Sequence, residues 1–389
     1  MNFQNHSSNG NSPKKILIIL PRQLGDILLG SSLAFALREH FPQAKIAWLS
    51  HPMGRQLLTG HPALDHVHFH PVWKSRDWKS ILRAPLAHVR DWCKHARTEI
   101  DFIRTIRSEN FDTVIDSICT PRTALLAWCS GAALRSGVKT RWNRNWAYSW
   151  LCPAKSWSSK YAASARLELL QPLLPIEKIQ NPPQRWLNSW IPKLPQFSQK
   201  VDQWINEVGL NDTKFVVLSP THRRPLRRWP KSAYLELALK IVAEFNCHIV
   251  WIWGPGEFEF VQDIHENLKA KLIATGKDPA LSLMPPLFNL PEAAELSKRS
   301  AMWVGNSNGL SHVAMAGGAT TLQIHGPTTA SPWTHPDHFR HAAVQRSSGC
   351  TQCESNVCRM GNHECLEKLS VDEVFSAAAR LRTASQNQA

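Results

Sequence analysis

Ile16-Leu17-Ile18-Ile19-Leu20 contains no polar residue, and a polar loop, Arg22-Gln23-Leu24-Gly25-Asp26, follows it almost at once. An apolar helical segment then runs to Leu37. A β-branched and leucine-rich run of this length suits a parallel strand buried on both faces. It is far short of the ~20 residues that a membrane span needs. It is also too short for the apolar part of a signal peptide, and no small-residue cleavage site follows. A cytoplasmic protein is therefore expected.

The same unit recurs along the chain. Lys45–Ser50 and Thr113–Asp116 read as further strands, with a helix over Thr123–Ser130. A second series places strands at Phe215–Leu218, His248–Trp253, Met302–Val304 and Thr320–Ile324, with helices between them and a terminal amphipathic helix from Val371 to about Arg382. Strands alternating with helices specify an α/β fold with doubly wound parallel sheets. The 389 residues suit two such domains. Residues 1–13, rich in Asn and Ser, are expected to be disordered. Domains are expected at 14–185 and 186–389, with the proline-bearing stretch Pro172–Pro195 as linker. The basic, Trp-rich segment from Trp73 to Arg107 reads as an insertion or flap, whose tryptophans suit a lipid headgroup boundary. The other tryptophans read mostly as core or interface residues.

Ligands of open parallel sheets bind beyond the carboxyl ends of strands, at the point where strand order reverses. Asp26 follows the first strand at a helix start. It reads either as a helix cap or as a general base toward an attacking hydroxyl. The loop Ser219–Pro230 carries Arg223, Arg224, Arg227 and Arg228, a charge run suited to clamping a diphosphate. Val304–His312 is a strand, Gly-rich turn and helix start, where Ser307 and backbone N–H groups suit a phosphate. Trp253-Gly254-Pro255-Gly256-Glu257 is another strand-end turn, with Glu257 suited to ribose hydroxyls or to capping the next helix. Gly326-Pro327-Thr328 follows the last of these strands.

Four cysteines, Cys350, Cys353, Cys358 and Cys365, have the spacing C-x2-C-x4-C-x6-C. The first pair matches a zinc knuckle and the second does not, so structural zinc and unligated or disulfide-linked thiols both stand. The net charge of +15 favours an anionic partner.

Leu24-Gly25-Asp26, Arg-Trp-Pro at 228–230, and the stretch Val304–Thr328 with Gly-Leu-Ser-His and a later Gly-Pro-Thr together resemble glycosyltransferase family nine, the bacterial heptosyltransferases of lipopolysaccharide core assembly. The resemblance covers Ile16 to about Ala378. It implies a GT-B architecture of two facing Rossmann-like domains, the first for the acceptor and the second for a nucleotide-sugar donor, typically ADP-heptose. It also implies inverting transfer with no cofactor required. Asp26 matches the family's catalytic base. Arg227 falls where a donor-phosphate cation is usual, with Arg228 beside it. Thr221 lies near the donor phosphates, Glu257 near the ribose, Leu290 against adenine, and Gly309 and His312 at the helix start. Ser307-Asn308-Gly309 stands where the family usually has an acid before its glycine, which puts the donor or the activity in question. The implied partners are a nucleotide sugar, an anionic glycolipid acceptor and the inner-membrane surface, with no nucleic acid. The alternatives are a donor-binding relative with impaired catalysis and a basic nucleic-acid-binding protein.

Overall fold

The computed structural model describes residues 12–70, 85–140, 144–153, 157, 159–211, 213–346, 353–355, 357–358 and 360–387. The expected disorder of the N-terminus concerns residues that lie, but for the last two, outside this set. The chain divides into two compact units, Met1–Ser158 with Ala162–Asn188, and Ser159–Tyr161 with Ser189–Ala389.

The first unit is built on β1 (Lys15–Leu20), β2 (Lys45–Ser50), β3 (His66–Phe69), β4 (Thr113–Asp116), β5 (Leu134–Val138) and β6 (Trp150–Cys152), all parallel in the order β3-β2-β1-β4-β5-β6. The second uses β7 (Phe215–Ser219), β8 (His248–Trp251), β9 (Ser282–Leu283), β10 (Met302–Asn306), β11 (Thr321–His325) and β12 (His341–Gln345), in the order β12-β11-β10-β7-β8-β9. Each unit therefore repeats one topology. Strand order reverses between β1 and β4 in the first unit and between β7 and β10 in the second. These two crevices are where ligand sites are expected.

The central strands are the ones whose apolar runs the sequence displays. β1 is fully buried from Ile16 to Leu20, and β7 throughout. The edge strands β3, β6, β9 and β12, and the Arg- and Gly-bearing β5, carry no such run, because their environment is only half buried. Close packing fixes the helix after β1. A Cβ on Gly30 would collide with Leu20 and Trp48, so glycine lets the helix Leu24–His40 settle directly on the strands.

Two expectations change. The helix Pro85–Ser108 is the crossover connection from β3 to β4, so that part of the expected flap belongs to the fold. The remainder of the flap, residues 71–84, and the side chain of Trp92 lie outside the described residues. The proline-bearing stretch, read as linker, folds back onto the first unit as far as Asn188. Its short helix Gln184–Leu187 buries Trp186 and pairs Arg185 with Glu39 at 2.7 Å, which holds the Glu39 carboxyl down at about 2. Proline there sets helix starts rather than an open chain.

Burial holds five histidines far below their ordinary pKa, His61, His222 and His335 at about 4 and His325 and His341 at about 3. They are neutral in the native protein at pH 7 and regain ordinary values near 6.5 on unfolding. Below pH 6.5 the unfolded chain therefore binds more protons, so stability falls with pH until the native imidazoles titrate near 4. Buried Asp116, whose carboxyl is pushed up, offsets part of this. At pH 5 these five imidazoles and Asp116 together are expected to take up about four protons on unfolding, and burial of His68, His248 and His265 acts in the same direction as the five. Urea midpoints measured from pH 7 to pH 4.5 read this directly, and a midpoint unchanged at pH 5 contradicts it.

Candidate active site

In the first unit the crevice is lined by Asp26 after β1 and by the turn after β4. Gln23 is the N-cap of the helix Leu24–His40, with no side-chain cap bond, and Asp26 sits in its first turn. The carboxylate of Asp26 is not the cap. Its Oδ1 accepts from Nη2 of Arg166 at 2.6 Å. Arg166, in the helix Ala162–Leu167, is 5% exposed and also donates to the Ala162 carbonyl. A buried guanidinium thus orients a carboxylate that keeps some contact with solvent.

Asp116, the last residue of β4, is fully buried. It accepts from the N–H groups of Ile118 and Cys119 and from the Tyr148 hydroxyl at 2.7 Å. Burial pushes its carboxyl up, and burial with the nearby Asp116 pushes the Cys119 thiol up to about 12. Cys119 has a left-handed φ of 53°. The network shapes the Ser117–Thr120 turn beside the crevice.

In the second unit, β7 ends in Ser219 and β10 in Asn306, at neighbouring positions of the sheet. A Cβ on Gly305 would sit 2.5 Å from the Ser219 carbonyl oxygen, so only glycine permits this approach. Asn306 is completely buried. Its Oδ1 accepts from the Trp229 N–H at 3.0 Å and its Nδ2 donates to the Pro220 carbonyl at 2.8 Å. Both ends of the arginine loop are thereby tied to β10. Asn308 caps the helix Gly309–Gly317 by accepting from the Ser311 N–H, and its Nδ2 donates to the Thr221 carbonyl at 2.8 Å. Gln323 donates to Ser311 Oγ and its Oε1 lies 3.2 Å from His325 Nε2, which joins β11 to the same helix start.

Ser219 Oγ, Thr221 Oγ1 and Arg227 Nε are buried here and have no hydrogen-bond partner among the described residues. Arg227 ends the 3-10 turn Pro225–Arg227. Burial and Arg224 lower its pKa, which Glu354 counters. Burial, His312, Arg227 and His222 keep His325 neutral. The result is a cationic recess of neutral imidazoles, a half-buried guanidinium and unsatisfied polar atoms. It suits an anion.

The expected residues fall in different places. Thr221, Arg227, Ser307, Asn308, Gly309 and His312 share the edge of β7, β10 and β11. Arg228 is occupied, donating Nε–H to the His222 carbonyl at 2.7 Å and stacking 5.0 Å over Phe260. Glu257 accepts from the Gly254 N–H at 2.9 Å and so closes its own turn. Leu290 opens the helix Leu290–Arg299. Cys350 lies outside the described residues. Cys353 and Cys358 are free and at least partly exposed, whereas Cys365 packs in the core with Leu366. Among the described residues no three His, Cys, Asp or Glu side chains converge as a metal site. Metal analysis of the purified chain separates structural zinc, about one per chain, from free thiols.

Residues that the sequence reading did not single out are Arg166, Asp116, His222, Asn306, His325 and Glu354. Asp116 and Asn306 share one signal, a polar residue ending a largely apolar central strand, whereas His325 ends a strand that already carries Thr321 and Gln323. Glu354 accepts from the Thr329 N–H at 2.8 Å and donates its own N–H to the Pro327 carbonyl, which seats it against the 326–329 loop near Arg227.

A family model described as glycosyltransferase family 9 (heptosyltransferase) matches residues 100–364. A curated relative in Haemophilus influenzae is 23% identical over 253 residues, 63% of this chain and 65% of that one. A lipooligosaccharide heptosyltransferase 2 of Campylobacter jejuni is 24% identical over 165 residues, 40% of this chain and 48% of its own length. The chain thus matches under two thirds of the first relative and about half of the second. Among solved structures, E. coli ADP-heptose lipopolysaccharide heptosyltransferase II superposes with a TM-score of 0.69 at 18% identity, covering 96% of this chain and 100% of that one. That likeness shows the fold.

Asn308→Ala removes both the helix cap and the strap to Thr221, and is expected to cost about 1–2 kcal/mol. Asn308→Asp keeps the cap acceptor but sets a carboxylate against the Thr221 carbonyl. It should keep the cap's share of stability and lose the strap's. Urea denaturation of both variants measures the two contributions, and equal stability of all three proteins refutes the assignment.

Proposed function

This chain belongs to glycosyltransferase family 9, and from that premise we propose that it is an inverting transferase moving a heptose from ADP-heptose to an anionic glycolipid of the lipopolysaccharide-core type. The observation that carries the reading is the recess at the β7–β10 crevice. There Ser219 Oγ, Thr221 Oγ1 and Arg227 Nε have no partner among the described residues, and Asn308 fixes a helix start beside them. Unsatisfied buried donors are costly unless a ligand completes them. A diphosphate supplies the acceptor oxygens, and the helix start adds its dipole. In this reading Arg227 balances charge that grows on the diphosphate as the sugar departs. Asp26, oriented by Arg166, takes the proton from the acceptor hydroxyl as it attacks the anomeric carbon.

The family chemistry asks for no cofactor, and the reading places the enzyme in the cytoplasm at the inner face of the membrane. Among the described residues no helix is long and apolar enough to cross a membrane. Ser307, where the family usually has an acid, favours a second reading, a relative that binds the donor without turning it over. Binding and turnover assays over ADP-, UDP- and GDP-sugars, with DNA and RNA as controls, separate these readings. Binding without transfer supports the second, and binding of nucleic acid alone defeats both.

Asp26→Asn retains an acceptor for Arg166 and should leave folding and donor affinity intact while lowering turnover by about 10² or more. Asp26→Ala strands the Arg166 charge and should additionally cost about 2–3 kcal/mol of stability, allowing for the partial exposure of Asp26. If Asp26→Asn keeps most of its activity, Asp26 is only the structural partner of Arg166.

Arg227→Gln leaves dipoles without net charge. Because the leaving-group charge grows toward the transition state, kcat should fall more than the donor KM rises. The loss should be about 2–4 kcal/mol of transition-state stabilisation. Arg223, Arg224 and Arg228 are changed in parallel to detect compensation. A change in donor KM alone makes Arg227 a docking contact.

A further inference from the structure

The helix Pro121–Cys129 opens with a capping box between Thr120 and Thr123 and with Pro121 at its first position. Thr123, Ala124, Leu126 and Ala127 bury its inner face. On the outer face Leu125 and Trp128, three residues apart and so neighbours on the helix surface, are 40% and 52% exposed. Trp146, from the turn Asn145–Ala147, is 53% exposed and meets Trp128 edge to face with ring centroids 5.6 Å apart. Single exposed apolar residues are ordinary, but a contiguous cluster of two indoles and a leucine marks a surface that something covers.

The surroundings say what covers it. Arg107 donates to the Cys129 carbonyl at 3.0 Å, one residue from Trp128. Arg135 donates to the Ala147 carbonyl at 2.8 Å, one residue from Trp146. Arg144 stands two residues before Trp146. The guanidiniums of Arg107 and Arg135 are held by backbone oxygens rather than by carboxylates, so their positive charge is not cancelled by these contacts. From Ser117 to Leu167 the chain has eight Lys and Arg and no Asp or Glu. The first unit as a whole has 24 Lys and Arg against 12 Asp and Glu, while the second has 21 against 18. The basic excess of the protein therefore belongs to the unit that carries the aromatic cluster.

We propose that the face formed by Leu125, Trp128 and Trp146, with Arg107 and Arg135, docks onto an anionic phospholipid bilayer. Indoles prefer the headgroup level of a membrane, where the ring is apolar and its N–H is wet. Guanidiniums pair with headgroup phosphates, and each basic group near such a surface adds attraction. Nucleic acid would use the charge but not this aromatic geometry. Trp128 and Trp146 meet edge to face, and Leu125, on the same helix face as Trp128, offers a base nothing to stack on. The helix descends from the carboxyl end of β4, so Trp128, in its last turn, lies toward the amino edge of the sheet. Tyr148, two residues after Trp146, bonds Asp116, so the test reads lipid binding and not activity. The proposal deepens the reading above, which sets the enzyme at the inner face of the membrane, and its failure is distinguishable from that of the transferase reading because lipid binding is measured with neither donor nor acceptor present.

The test is cosedimentation of the full chain with phosphatidylcholine vesicles, with and without phosphatidylglycerol. The protein should partition onto the anionic vesicles and release with added salt. Trp128→Ser with Trp146→Ser should weaken that partitioning about tenfold or more, with an unchanged melting temperature. Trp128→Phe with Trp146→Phe should restore most of it, and Leu125→Ser should weaken it separately. Equal partitioning of wild type and the serine variant overturns the proposal. So does equal binding to phosphatidylcholine alone. Loss of a dimer, or of DNA or RNA binding, in the serine variant without change on vesicles assigns the patch to that other partner and overturns it as well.

Discussion

The buried amide of Asn306 is the contact on which the second unit's recess depends. It satisfies the N–H of Trp229 and the carbonyl of Pro220 at once, so the loop between them is tied at both ends to β10. Losing either bond would leave a buried polar group unmatched, at about 1–3 kcal/mol each. The close approach of β10 to β7 at Gly305 gives the amide its reach. The arginine loop is positioned in this way by amide bonds, and Arg227 Nε within it has no hydrogen-bond partner among the described residues. A cation oriented before the ligand arrives needs no reorganisation when charge develops on that ligand.

The first unit solves the matching problem by other means. Its crevice orients Asp26 through an ion pair with a buried arginine, and shapes the turn after β4 through a buried carboxylate that Tyr148 and two N–H groups satisfy. The contrast follows from what each edge must present. A carboxylate offered as a base has to be held by a donor, and a guanidinium is a donor with no acceptor capacity of its own. An anion-binding edge has to leave donors open, so its scaffold is built from amides that bond to backbone instead.

The sequence displays the parts of this arrangement that local chemistry decides. The apolar runs of β1, β7 and β10, and the polar residues that end β7 and β10, are visible because central parallel strands are buried on both faces. The short edge strands are not, since hydrogen bonding to a neighbour rather than composition makes them strands. Asp26, Arg227 and the Ser307–Gly309 turn could be named from their positions after strands. Arg166 could not, because the contact that gives it meaning spans 140 residues of sequence. The occupation of Arg228 and of Glu257 by nearby backbone was equally hidden, for it depends on how a loop closes. Tryptophan is read from sequence mostly as core or interface, and Trp48, Trp186, Trp229, Trp251 and Trp303 are buried. Trp128 and Trp146 are not, Trp128 because it faces outward from its helix and Trp146 because it stands in a turn.

Charge is divided between the units in the same spirit. In the second unit the net excess is small, and the arginines that matter are gathered in one half-buried loop. Screening by salt acts weakly on such a site, because little electrolyte enters between a buried guanidinium and its ligand. In the first unit the excess is larger and spread over the surface, with Arg107 exposed and the aromatic cluster standing among the basic residues. Attraction from dispersed surface charge is long in range and falls steeply as ionic strength rises. On the two proposals made above, one chain carries two kinds of anion recognition that respond differently to the same electrolyte. On the docking proposal the dispersed kind brings the protein to a charged surface, where the indoles add hold that salt does not remove. The local kind acts only on an anion already seated in its recess, where geometry rather than distance decides the strength.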